Sequence, residues 1–309
     1  MLLSECALFI AHSFSVACFP CVCVCRGKTV LDVGCGTGIL CMFAAKAGAK
    51  KVYGIECASI YNQAVEIVKQ NGFSDTITLI QGKVEDITLP VDKVDIIISE
   101  WMGYFLLYES MLDTVIYARD KWLVEGGLLF PDKAQLFVCA IEDAEYRERK
   151  LDFWENVYGF DMKCIKNLAQ LEPLVDCADP EQVMSDSSQL LEIDLYSVTK
   201  PDLDFVNKFE IKANRTDYCH ALTCYFNVEF SKTHNKLKMS TGPKSKYTHW
   251  KQTIFYLDEP LIMHAGEKIT GEFSVKRNDK NPRDLDIDIK VDFKGKDQEY
   301  HQDRAYRLR

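Results

Sequence analysis

The stretch that most constrains this chain is Thr29-Val30-Leu31-Asp32-Val33-Gly34-Cys35-Gly36-Thr37-Gly38, followed by ILCMFAAKAGA. A short apolar run predicts a strand, alternate glycines predict a tight turn, and the periodicity beyond them predicts a helix. The pattern continues. Residues 51–55 make a second strand ending at Glu56, and 59–71 read as a helix. Residues 76–80 and 94–98 are further strands, 109–122 a helix, and 126–130 a fifth strand. Alternation of this kind predicts a parallel, doubly wound sheet with ligands beyond the carboxyl ends of its strands.

Glycines at a strand-to-helix turn let the backbone approach a ligand closely. Glu56, 20 residues beyond Gly36, ends the next strand, where it can accept ribose hydroxyls. The spacing is G-x-G-x-G with Ile39 next, whereas a nicotinamide site calls for G-x-G-x-x-G. The turn also has no Lys or Arg for a pyrophosphate. These features favour a nucleoside cofactor without pyrophosphate, such as S-adenosylmethionine. Gln81-Gly82-Lys83-Val84-Glu85-Asp86 follows the third strand on the same edge; on pattern alone, Glu85 reads as a solvated carboxylate.

The fourth strand runs into Ser99-Glu100-Trp101-Met102-Gly103-Tyr104-Phe105-Leu106-Leu107-Tyr108-Glu109-Ser110-Met111. Two acids bracket an apolar aromatic loop where loops are usually polar. Paired glutamates in a partly dry pocket suit a planar cation, because each carboxylate can accept a fork of N–H donors. A guanidinium is the best match. Glu109 also reads as a helix-start acid favoured by the helix dipole, and a glycosidase-like acid pair is an alternative chemistry.

Charge supports a cationic partner: 37 Lys+Arg against 46 Asp+Glu give a net charge of -9, which disfavours a nucleic-acid binder. Five of 13 cysteines fall in the first 25 residues; the rest are scattered, as expected of reduced thiols in a cytosolic or nuclear protein. Residues 6–25 carry no formal charge, about the length that spans a bilayer, but they lack a positive start and contain His12 and Pro20. No membrane partner is expected. Cys18 and Cys21 form a C-x-x-C without a second pair, so no metal site is predicted. From about residue 133 the pattern is strand-like at LFVCA, SVTKPDLDFV, YCHALTCYFNVEF, KQTIFYL and DLDIDIKVDF, which predicts an antiparallel barrel.

VLDVGCGTGIL, YGIE, GKVED, VDIIISEWMGYFLLYESML and Thr248-His249-Trp250-Lys251-Gln252 together resemble the type I protein arginine N-methyltransferases over residues 28–309. The resemblance implies a leader at 1–27, a Rossmann-like S-adenosylmethionine domain at 28–132, and a β-barrel domain at 133–309. Residues 142–177, including FWENVYGFDM, would form a helical arm that makes a homodimer; on pattern alone its aromatics read as a core stripe. It further implies that Gly34, Glu56, Val84 and Glu85 bind the cofactor, with Asp32 and Gly36 shaping the pocket. Glu100 and Glu109 would hold the substrate guanidinium with His249 close by, and Tyr104, Met111 and Trp250 would line the substrate side. Met111 matches a methionine that favours asymmetric dimethylation. The expected substrates are Arg/Gly-rich proteins and histone tails, in the cytoplasm and nucleus. The family carries cofactor-covering helices before its first strand, which residues 1–27 do not resemble. Reduced cofactor binding and activity are therefore expected of this chain, and a silent dimerising paralogue is the alternative.

Overall fold

The computed structural model describes residues 24–233 and 236–309. The Cys18–Cys21 pair and all of the leader except residues 24–27 lie outside the described residues.

The first half contains β1 (Thr29–Val33), α1 (Ile39–Lys46), β2 (Lys51–Glu56), α2 (Tyr61–Gln70), β3 (Ile77–Gln81), β4 (Val94–Ile98), α3 (Met111–Trp122) and β5 (Leu123–Phe130). The strands form one parallel sheet in the order β3-β2-β1-β4-β5. Strands β1, β2 and β4 are buried almost throughout, which is why they read as continuous apolar runs rather than alternating ones. On α2, Ala64 and Val68 are buried one turn apart while the opposite face is polar. The chain reverses direction across the sheet between β1 and β4. That switch point is where such a sheet opens a crevice for ligands.

The second half contains β6 (Lys133–Ile141), β7 (Leu174–Asp176), β8 (Val183–Asp194), β9 (Phe205–Lys212), β10 (Asp217–Phe230), β11 (Leu237–Ser240), β12 (Gln252–Met263), β13 (Lys268–Arg277), β14 (Leu285–Lys294) and β15 (Glu299–Leu308). Two antiparallel sheets result, β7-β12-β10-β6-β8 with β11 on β10, and β15-β14-β13-β9, and together they make the barrel. Strand β14 shows the underlying rule: Leu285, Ile287, Ile289, Val291 and Phe293 are buried, and the residues between them face outward.

Two sequence readings need correction. SVTKPDLDFV is not one strand, because Lys200–Leu203 forms a short 3-10 turn and β9 begins only at Phe205. Asp202 Oδ2 accepts both the Thr199 N–H at 2.8 Å and its hydroxyl at 2.6 Å, and Pro201 pre-sets the first turn. The aromatics of the 142–177 segment are not a core stripe either. Short helical turns over 144–155 lead to α4 (Lys163–Ala169) and return through β7. Tyr158 is 93% exposed, Phe160 69% and Leu168 62%. Periodicity reports that a face is apolar, and it cannot say whether the partner lies in the same chain.

Candidate active site

The glycine turn carries one half of the site. Asp32, on β1, is completely buried; burial pushes its carboxyl up to about 7, while a hydrogen bond from Cys41 Sγ at 3.1 Å works in the opposite direction. Its Oδ1 has no hydrogen-bond partner among the described residues. Glu56, at the end of β2, is also buried. Its two oxygens accept main-chain N–H groups from Gly36 and Ala58, each at 2.8 Å. Gly34 takes a left-handed φ of 73°, and a Cβ there would lie 2.6 Å from Met111 Cε. Gly36 is also left-handed, but a Cβ on it would meet nothing within 4 Å among the described residues. The main chain is therefore open to a ligand at Gly36 and shut against Met111 at Gly34. Val84 is buried; Glu85 accepts the Thr114 hydroxyl at 2.9 Å, and its carbonyl accepts from Tyr117 at 3.2 Å, which ties this edge to α3.

The other half is the loop after β4. The Ser99 hydroxyl donates to the Val33 carbonyl at 2.8 Å, so the ends of β4 and β1 are joined. Trp101, Met102, Phe105, Leu106 and Leu107 are all buried. The sequence attributed this apolar stretch to a dry pocket; its larger role is to bind the barrel. Phe105 packs edge-on against Phe255 of β12 at 5.7 Å and stacks with Phe273 of β13 at 6.4 Å. The Trp250 indole donates to the Met102 carbonyl at 2.8 Å. Phe105, Leu106, Glu109 and Ser110 all have left-handed φ values between 52° and 75°. Each costs about 1–2 kcal/mol outside glycine, so the loop holds its shape only through such tertiary contacts.

The acids bracketing this loop differ. Glu100 is mostly buried and has no hydrogen-bond or ion-pair partner among the described residues. Burial first, and the nearby Glu109 charge second, push its carboxyl up to about 8. The Glu109 side chain is half exposed, and its Oε1 lies 2.8 Å from Arg283 Nη2 on the loop between β13 and β14. His249 lies tilted against Trp250, ring centroids 4.0 Å apart, and the Trp250–Met102 bond tethers this pair to the glutamate loop. Trp250 is itself buried, so it supports the site from behind. Tyr104 stacks on Tyr108 at 6.2 Å and is only partly buried.

Sequence reasoning missed Arg283, and also Arg277, whose Nη1 lies 2.7 Å from Asp113 Oδ2 of α3. Neither carries a local signal, because each partner lies more than 160 residues away.

Fold and site thus define a methyltransferase, and residues 30–127 match the family model described as "Methyltransferase domain". Residues 132–298 match "Arginine methyltransferase oligomerization subdomain". The chain belongs to the protein arginine N-methyltransferase family. Protein arginine N-methyltransferase 1 of Chlamydomonas reinhardtii is 56% identical over 284 residues, covering 92% of this chain and 82% of that protein. Protein arginine N-methyltransferase 1.1 of Arabidopsis thaliana is 54% identical, covering 92% and 73%. Among solved structures, a chain of the Trypanosoma brucei PRMT1 enzyme-prozyme heterotetrameric complex with AdoHcy superposes with a TM-score of 0.95. It is 47% identical, over 100% of this chain and 96% of that one.

Proposed function

We propose that this protein uses S-adenosyl-L-methionine to methylate guanidinium nitrogens of protein arginine, giving mono- and then asymmetric dimethylarginine. The observation that carries the reading is the unlike pair Glu100 and Glu109 at the switch point, one partly buried and partnerless among the described residues, the other half exposed. A buried acid beside a second acid is stabilised in its charged form by a cation, and a guanidinium can engage both at once.

S-adenosylmethionine, when bound, supplies an electrophilic methyl group. Gly36, Glu56 and the buried Asp32 oxygen fit such a group, since they offer open main chain and carboxylate acceptors and place no cation beside it. Gly34, Val84 and Glu85 complete that side. Glu100 and Glu109 orient the guanidinium and draw its positive charge toward the nitrogens they hold, which leaves the third nitrogen more nucleophilic. Met111, wedged against Gly34, lies between the two halves and limits room at the acceptor nitrogen. Tyr104 and His249 would border the same space, and Trp250 fixes the loop through the Met102 carbonyl.

The net charge of -9 suits Arg/Gly-rich proteins and histone tails. The exposed apolar residues of the 153–171 arm support a homodimer, because a monomer rarely exposes such a patch. Cys35, Cys41, Cys57, Cys139, Cys164, Cys177, Cys219 and Cys224 carry free thiols, which fits work in the cytoplasm and nucleus. Among the described residues no helix is long and apolar enough to cross a membrane.

Transfer of labelled methyl groups from S-adenosylmethionine to an Arg/Gly-rich peptide or a histone tail tests the reading, with mass spectrometry to show both methyls on one nitrogen. No transfer would overturn it. A second reading, a silent partner of an active paralogue, is favoured by the matched assembly, which pairs an enzyme with a prozyme. Calorimetry separates the two: dimerisation without S-adenosylmethionine binding would support the silent partner.

A further inference from the structure

The loop between β13 and β14 touches the glutamate loop at three points. The Arg283 guanidinium pairs with Glu109 Oε1 at 2.8 Å, the Glu109 N–H donates to the Arg283 carbonyl at 2.9 Å, and the Ser110 hydroxyl donates to the Pro282 carbonyl. Glu109 and Ser110 are the two residues at that end of the loop with left-handed φ, 75° and 58°. The barrel loop is itself firmly anchored. Asp284 is buried, accepting from Asn281 Nδ2 at 2.7 Å and from Arg307 Nη2 of β15 at 2.8 Å, and Asn278 Nδ2 reaches both Asp286 oxygens at 2.9 and 3.0 Å. A rigid support thus meets a strained, charged residue.

We infer that Arg283 is a positioning residue for arginine methylation: it fixes one oxygen of Glu109 and leaves the other for the substrate guanidinium. The inference rests on the reading of Glu109 as a substrate-holding acid. The structure records a single contact between the two side chains, Nη2 to Oε1, and not a closed fork. An arginine that plugged the site as a competitor would engage both oxygens, as a substrate would. A monodentate contact from the rim restrains the carboxylate and keeps it available. Arg283 therefore acts on how a bound guanidinium is aimed, more than on whether it binds.

The experiment compares full-length wild type with Arg283→Met and Arg283→Lys on an Arg/Gly-rich peptide. Misaiming costs turnover, so Arg283→Met lowers kcat about tenfold while KM moves less than about threefold. Arg283→Lys, which keeps a cation at the rim, recovers most of kcat. Thermal unfolding of each variant identifies a merely structural role. Equal losses in both variants with a lowered Tm would overturn the inference. So would a lower KM with unchanged or raised kcat in Arg283→Met, the signature of a displaced competitor. Absence of transfer by wild type would strike the functional reading itself and this inference with it; failure of the split in the variants strikes Arg283 alone.

Discussion

Glu56 and Glu100 stand at the carboxyl ends of β2 and β4, the two strands that flank β1. Their positions in the sheet are nearly mirror images and their circumstances are opposite. Glu56 is held by main-chain N–H groups of Gly36 and Ala58, both within one strand–helix–strand unit. Glu100 lies in an apolar loop beside a second acid, with no donor among the described residues. An acid already engaged by the backbone is a fixed acceptor, suited to hydroxyl donors. An acid half withdrawn from water beside another acid is stabilised in its charged form by a cation. The sheet thus offers one edge to a neutral nucleoside and the other to a guanidinium, and β1 with its glycine turn sits between them.

The strongest way to break this contrast is to detach the glutamate loop from the barrel. Phe105→Ala removes a buried ring from the core it shares with Phe255 and Phe273 and should cost about 3–5 kcal/mol in chemical unfolding. The glycine turn, whose bonds are local, should be affected far less, so residual cofactor affinity in the folded fraction reports the separation. Next in size, Glu109→Gln should lower kcat by about 10²–10³ while leaving the cofactor dissociation constant unchanged by calorimetry. Unchanged turnover would remove Glu109 from the mechanism.

A change on the other edge gives the reciprocal result. Gly34→Ala forces a side chain into a left-handed conformation at about 1–2 kcal/mol, and the new Cβ would crowd Met111. Cofactor affinity and Tm should both fall. Smaller still is the pH response. The Glu100 carboxyl is raised from its ordinary 4.5 to about 8, so across that range the folded protein holds a proton that the unfolded chain has lost. Stability should therefore fall as pH rises from 4.5 to about 8 and level off above it. Asp32 acts in the same direction up to about 7. Glu100→Gln should flatten the part of the curve near 8, read by urea unfolding at several pH values.

The same contrast explains what the sequence disclosed. The glycine turn, Glu56 and all five parallel strands were legible because each rests on neighbours within about one βαβ unit, where period and turn chemistry are local signals. The acids Glu100 and Glu109 were visible as unusual residues in an apolar loop. What finishes that loop was not: Phe255, Phe273 and Arg283 come from the barrel, and their pairing depends on how two domains meet. The apolar loop was accordingly credited to a dry pocket when much of it is interface. Pattern alone does not separate an arm's aromatics from a core stripe for a related reason, since burial within one chain and burial against a second leave the same pattern. The 3-10 turn at Lys200–Leu203 did carry a local signal, the Thr199–Asp202 box with Pro201, but alternating residues on either side masked it.

Glu100, partly buried and without a partner among the described residues, is set for a guanidinium, and proton counting tests this most directly. Isothermal titration of an Arg/Gly-rich peptide at pH 7, in two buffers of different ionisation enthalpy, measures the protons exchanged on binding. Below the Glu100 value of about 8 the free site holds a proton that a bound cation should expel. Wild type should release most of one proton per peptide and Glu100→Gln none. Identical heats in both buffers for wild type, or release that persists in Glu100→Gln, would contradict this.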